Sequence, residues 1–193
     1  MTVAITILAA GSSSRMKKIK QLLPIQNSTL LGIAIENALQ SDADQVYCVL
    51  GANADLITNS IQNSNIKIIY NPKYSEGLSS SIIAGIEYMS SKPFDATLIM
   101  LGDQPMVDSE YLNKLIINFK GNPSQVVASE YSDKIGVPAI FPKTFYNQLL
   151  QLNGDKGASL LLNSETINIK TVTGSSLVDI DTEEDYNSFI NSL

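Results

Sequence analysis

The sequence predicts a three-layer α/β/α domain on a largely parallel sheet, and three observations carry that prediction. Apolar runs at 3–8, 46–50, 66–70 and 96–101 recur along the first half of the chain. They are continuous rather than alternating, as strands covered by helices on both faces require. Between them apolar residues return at helical spacing, giving a βαβαβαβ order through Leu101. With 193 residues, 44% of them hydrophobic, the chain can fill one core, and a single domain over 1–193 is expected.

Each element has its own signal. Leu30, Ile33, Ala34, Ala38 and Leu39 share a helical face, as do Ile82, Ile83, Ile86 and Met89; Leu56 and Ser60 mark a weaker helix. Asp108 or Ser109 suits the cap of a helix running to about 119, which Gly121 ends. Residues 125–129 supply a further strand and 137–141 a short extended piece. Pro142 fits the first turn of a helix reaching 152. Residues 158–162 form a short apolar helix. Residues 166–172 alternate, with Ile167 and Ile169 on one face, as in a half-exposed edge strand. Asp181 or Thr182 opens a last helix that packs through Tyr186, Phe189 and Ile190.

Composition removes several functions. A net charge of −6 argues against nucleic acid or an anionic membrane as partner, so any phosphate site is a local basic spot on an acidic body. The chain has no histidine, which excludes a histidine triad, a histidine zinc site and a histidine base. Its one cysteine, Cys48, sits in the apolar run VYCVL and reads as a buried structural thiol. No secretory pattern opens the chain and no apolar run approaches the roughly 20 residues of a membrane span, so a cytoplasmic protein is expected.

Three segments carry chemistry, and a fourth, DIDT, joins the second of them. The first follows the first strand: Ala9, Ala10 and Gly11 lack bulk, Ser12, Ser13 and Ser14 add hydroxyls, and Arg15, Lys17, Lys18 and Lys20 add charge. Four of thirteen basic residues stand within six positions. Converging loop amides make a nest for phosphate, and an α/β sheet opens its crevice at the carboxyl ends of its strands. The segment matches neither GxxxxGK[ST] nor GxGxxG, so it suggests a polyphosphate held in a third way; a plain solubilising loop is the alternative. The second is LGDQP at 101–105. Gly102 leaves room beside the backbone, and Asp103 projects into the same crevice, where Mg²⁺ would turn repulsion between carboxylate and phosphates into attraction. A mere turn-capping Asp103 is the competing reading. In DIDT at 179–182 the two acids share a side if the piece is extended. Asp181 then either completes a magnesium pair with Asp103 or begins an acidic helix. The third is NPKYSEGLSSSI at 71–82, where Gly77 permits close approach and Ser79 or Ser80 caps the helix while offering hydrogen bonds to a base.

LAAGSSSRM at 8–16 with KQLLP at 20–24, NPKYSEGLSSSI, LGDQPMV at 101–107, GVPAIF at 136–141, GDKGA at 154–158 and DIDTEEDY at 179–186 stand in order along nearly the whole chain. On these segments the chain resembles the molybdenum cofactor cytidylyltransferase group of the MobA-like NTP transferase superfamily. That resemblance implies a Rossmann-like nucleotidyltransferase fold with a mostly parallel mixed sheet. It implies a nucleotide held by Leu8, Ala9, Ala10, Gly11, Ser12 and Ser13 and by Gly77, Leu78, Ser79, Ser80 and Ser81. Arg15, Lys20 and Asp103 are the implied catalytic set and Asp103 with Asp181 the implied Mg²⁺ ligands. Gly136, Pro138, Gly154, Asp155 and Gly157 fall on the implied acceptor side. The implied reaction moves CMP from CTP to the phosphate of a molybdopterin-type cofactor and releases pyrophosphate, with a molybdenum hydroxylase apoenzyme as possible recipient. Guanylyl or other NTP transfer to the pterin or to a sugar or alditol phosphate is the runner-up, followed by a non-catalytic maturation partner. The chain departs from the family pattern at Lys17, where glycine is usual, and at Val137, where histidine commonly precedes the proline.

Overall fold

The structure, a computed structural model, describes residues 1–16, 18–131, 134–164, 166–174 and 177–193. Lys17 lies outside them. Strands β1 (Val3–Leu8), β4 (Gln45–Leu50), β5 (Lys67–Tyr70), β6 (Ala96–Leu101), β7 (Val126–Glu130), β8 (Ile135–Pro142) and β9 (Ile169–Val172) form one sheet. Its order is β5-β4-β1-β6-β8-β7-β9, with β2 (Pro24–Ile25) and β3 (Ser28–Thr29) in a separate small hairpin. Within the seven-stranded sheet, among the described residues, only the pairings of β8, with β6 and with β7, are antiparallel. The sheet is therefore mostly parallel and mixed.

Helices α1 (Leu30–Leu39), α2 (Ala54–Ile61) and α4 (Ser109–Gly121) cover one face; α3 (Leu78–Ser90), α5 (Tyr146–Leu149) and α6 (Ser159–Leu162) cover the other. The odd residues of β1, Val3, Ile5 and Ile7, pack into the first layer, while Ala4 and Leu8 pack into the second. This double burial explains why β1 reads as an unbroken apolar run. Thr6 is its one polar residue, and its hydroxyl is paired with Thr97 of β6 at 3.0 Å. Cys48 is fully buried, and burial pushes its thiol up to about 12.

Several expectations need correction. The stretch from Pro142 to 152 is not one helix. Pro142 ends β8, residues 143–145 make a single 3₁₀ turn, and α5 covers only four residues. The hairpin at 24–29 has no Asn-Gly or Asp-Gly signature; it turns on Gln26, which takes a left-handed φ of 51°. Thr182, not Asp181, caps the final helix α7 (Glu183–Ile190), and Asp185 completes a capping box. At α3 neither Ser79 nor Ser80 caps: Gly77 occupies that position, and Ser80 Oγ instead donates to the Gly77 carbonyl at 2.8 Å. β9 lies at the sheet edge, as its alternation predicts. Among the described residues no helix is long and apolar enough to cross a membrane.

Candidate active site

The strand order reverses at β1, with β4 on one side and β6 on the other, and this opens a crevice at their carboxyl ends. Leu8 is in register with Val49 and Leu101. The chain then stays pinned: Ala9 N donates to Val49 O, Gly102 N to Leu8 O and Ala52 N to Ala10 O, at 2.9–3.0 Å. Beyond that point the loop leaves the sheet, and the amides of Gly11, Ser12 and Ser13 find no acceptor among the described residues. A side chain the sequence reading passed over shapes the loop. Gln21, almost fully buried, donates to the carbonyls of Ala9 (2.9 Å) and Gly11 (3.0 Å). Ser13 adopts φ 56°, donates to Gln21 Oε1 and accepts from the Lys20 amide at 3.0 Å, so its hydroxyl is committed to the loop itself. A glutamine next to the apolar LLP was the available signal, because a buried amide must find partners.

Two distant acids meet this loop. Lys20 Nζ lies 2.6 Å from Asp103 Oδ2 and 2.9 Å from Asp181 Oδ1, and Arg15 approaches Asp181 Oδ2 at 3.4 Å. The convergence is built by the backbone, since Ile180 N donates to the Asp103 carbonyl and the Ile180 side chain is fully buried. That burial, worth roughly 1.5–3 kcal/mol for such a side chain, turns Asp179 and Asp181 toward the cleft. Asp103 does not cap the following helix; Asp108 does, accepting from Tyr111 N at 2.7 Å. Gly102 lines the cleft, but the space beside its Cα is filled by Leu31 and Ala9 rather than left for a ligand. Burial drives the Asp103 carboxyl pKa up, with Lys20 opposing it. Burial would lower the Lys20 pKa, yet Asp103 and then Asp181 outweigh it and hold the ammonium above its usual value.

These residues line a cleft of about 730 Å³ that also takes in Tyr74, Ser75, Gly77, Leu78, Ser81, Asp155 and Asp179. Gly77 has φ 98°, and a side chain there would collide with Asp155 and the Gly154 carbonyl, which accepts from Ser79 N at 3.1 Å. Gly154 and Asp155 thus stand against the start of α3, on the side of the large cleft. Ser79 and Ser80 do not reach the cleft. Ser80 and Ser81 are held by Asn71 Nδ2 at 2.9 and 3.1 Å, and only Ser81 lines the opening. A smaller cavity of about 180 Å³ adjoins it, sharing Leu8, Leu78, Leu101 and Asp179 and adding Gly136, Val137 and Lys156. Pro138 is buried behind that wall after a cis peptide, and Gly157 packs on Leu78; neither lines either of these two cavities.

The donor set fits a hard divalent cation. Asp103 Oδ1 is buried without a hydrogen-bond partner among the described residues, while Asp181 presents its carboxylate from the facing segment. Among the described residues no group of three or more such ligands forms a closed metal cluster. Magnesium binds through one or two carboxylates plus waters and substrate phosphates, which suits such an open pair. Lys20 bridges Asp103 Oδ2 and Asp181 Oδ1, so a cation that drew on both carboxylates would compete with the lysine for them.

A cationic, amide-rich loop facing paired acids at a sheet's switch point is the layout of a nucleotide-handling α/β enzyme, and the comparisons agree. Residues 5–169 match the MobA-like NTP transferase domain, and the chain belongs to that family. It is a nucleotidyltransferase. Over 93% of this chain and 91% of the relative it is 28% identical to the molybdenum cofactor cytidylyltransferase of Escherichia coli K12. Over the same shares it is 26% identical to the purine catabolism protein PucB of Bacillus subtilis 168. The crystal structure of Rv0371C from Mycobacterium tuberculosis H37Rv, a complex with manganese, superimposes with a TM-score of 0.84 at 28% identity, covering 100% of both chains.

Proposed function

We propose that the enzyme transfers CMP from CTP to the phosphate of a molybdopterin-type cofactor and releases pyrophosphate. The observation that carries this reading is the meeting of Asp103 and Asp181 at Lys20, beside loop amides after β1 that find no acceptor among the described residues. The similarity to a molybdenum cofactor cytidylyltransferase supports the donor and the acceptor. A cytoplasmic setting and handover of the product to a molybdenum hydroxylase apoenzyme belong to the same reading.

Asp103 and Asp181 would hold Mg²⁺, which when bound there offsets charge on the nucleotide's α-phosphate. The amides of Gly11 and Ser12 and the side chains of Arg15 and Lys20 take the β- and γ-phosphates. An acceptor phosphate oxygen attacks the α-phosphorus, the bond to the β-phosphate oxygen breaks, and the electron pair leaves with pyrophosphate. The acceptor is already anionic, so no proton has to be removed, which suits a chain without histidine. What the residues supply is charge compensation and orientation. Gly136 and Val137 form the acceptor wall in the smaller cavity, and the region of Leu78 and Ser81 borders the base.

Pyrophosphate release, measured with purified pterin cofactor and each nucleoside triphosphate in turn, tests the proposal. CTP should give the fastest turnover. Preference for GTP would make the enzyme a guanylyltransferase, and turnover only with a sugar or alditol phosphate would move the acceptor out of the pterin class.

A further inference from the structure

Asp179 lines both the large cleft and the smaller cavity. We infer that it determines which acceptor is used, by accepting a hydrogen bond from an N–H or O–H group next to the acceptor's attacking phosphate. The inference rests on the transferase reading above and deepens it at the acceptor end.

Of the four acids that line the cleft, Asp103, Asp179 and Asp181 come together through the Ile180–Asp103 backbone contact, and these three differ in their partners. Asp103 and Asp181 are ion-paired with Lys20, whereas Asp179 makes no ion pair among the described residues. Instead its Oδ1 accepts from Gln104 Nε2 at 2.7 Å. Gln104 is fully buried and gives its other N–H to the Tyr131 hydroxyl at 2.9 Å, which in turn donates to the Val137 carbonyl. The Gln104 carbonyl oxygen is left buried and unpaired among the described residues. A buried amide that satisfies both donors and forgoes its acceptor is oriented by the oxygens it serves. One of those is Asp179. The other leads to the peptide that walls the acceptor cavity, so Gln104 and Tyr131 are positioning residues that tie the exposed carboxylate to the wall.

The cavity gives that carboxylate a task. Leu78, Leu101, Ile135 and Val137 make apolar walls, and Lys134 and Lys156 stand at its lining as exposed cations. An acceptor seated there covers Asp179. If it turned only apolar or anionic surface toward the carboxylate, a charge would lose water and gain nothing. A donor on the acceptor restores the lost hydrogen bond and separates Asp179 from the attacking phosphate. Discrimination then comes from the penalty on acceptors that lack the donor.

The experiment compares wild type, Asp179→Ala, Asp179→Asn and Gln104→Leu with two acceptors, a pterin bearing ring N–H groups and a sugar phosphate bearing O–H groups. Asp179 is exposed, so its variants keep the fold. Asp179→Ala should raise the KM of the acceptor that uses it by about tenfold to a hundredfold, the size of one lost hydrogen bond to a charged group. Asp179→Asn keeps an acceptor oxygen and should recover part of the loss, and Gln104→Leu should move the same KM in the same direction. The nucleotide KM should not change. The Mn²⁺ affinity of the free Asp179 variants, read by electron paramagnetic resonance, should fall by less than the acceptor KM rises, because the lost charge is a neighbour of Asp103 and not a ligand. The acceptor that suffers tells whether N–H or O–H is read. Unchanged acceptor KM in Asp179→Ala overturns the inference, as does a loss of Mn²⁺ binding as large as that of Asp103→Ala, which would make Asp179 a metal ligand. No turnover by the wild type with either acceptor would instead remove the proposed acceptors, and this inference with them.

Discussion

Lys20 sits between two carboxylates with its side chain only 15% exposed, and its removal has opposite effects on two measurable quantities. In Lys20→Met the acids lose their internal cation. Nucleotide-free protein should then bind Mn²⁺ about tenfold more tightly, the worth of one charge-assisted hydrogen bond, as titrated by electron paramagnetic resonance. Turnover and nucleotide affinity should both fall if, as proposed, the same ammonium serves the phosphates. Asp103→Ala should keep the native far-ultraviolet circular dichroism and lose turnover by about a hundredfold or more, the usual cost of removing one key electrostatic contact. Full activity in that folded variant would remove Asp103 from the proposed chemistry. Asp103 was legible in the sequence because a carboxylate right after a buried strand and a glycine has few structural reasons to be there. Gln104 was not. A glutamine one residue further on looks like any loop residue until Asp179 and Tyr131 arrive beside it.

At the scale of elements, α7 decides where Asp181 points. Thr182 Oγ1 accepts from Asp185 N at 3.1 Å, and Asp185 Oδ2 accepts from Thr182 N at 2.8 Å and Asp181 N at 3.1 Å. Thr182→Ala should cost about 1 kcal/mol, read from urea unfolding, with a loss of metal affinity as Asp181 loosens. The Thr182 hydroxyl and then the backbone amides depress the Asp185 carboxyl pKa below its ordinary value. A depressed pKa means that the unfolded chain takes up its proton first. The stabilisation is thus complete above the ordinary aspartate range and is lost as pH falls through the lower, folded value. Asp185→Asn should flatten the acid limb of the stability profile and leave neutral-pH behaviour near that of a simple cap change. The capping signal was legible as DTEED, but its register was not. Asp181 and Thr182 are both good caps, and only the anchoring of Ile180 shows which of them the helix leaves free.

The whole molecule matters because the site is assembled from segments near residues 10, 20, 75, 103, 155 and 180. A ligand that touches them all binds the native state and not the unfolded chain. CTP with Mg²⁺ at a hundred times its dissociation constant should therefore stabilise the fold by about 2.7 kcal/mol, seen as a rise in Tm. CTP with chelator should give a smaller rise, since the paired acids would then face the phosphates without a metal. Equal shifts with and without metal would argue against Asp103 and Asp181 as its ligands.

The sequence by itself determined the layers, because continuous apolar runs and helical spacing are local patterns that one core can satisfy in few ways. It also marked the loop after β1 and the carboxylates as special, since small, charged and hydroxylated residues at strand ends serve packing poorly. The tertiary structure decided their partners. It set Lys20 between Asp103 and Asp181, kept Ser79 and Ser80 out of the cleft and gave Asp179 a buried amide to rest on. These are contacts between residues up to 161 positions apart, fixed by strand order and by where Ile180 is buried, and no local pattern encodes them.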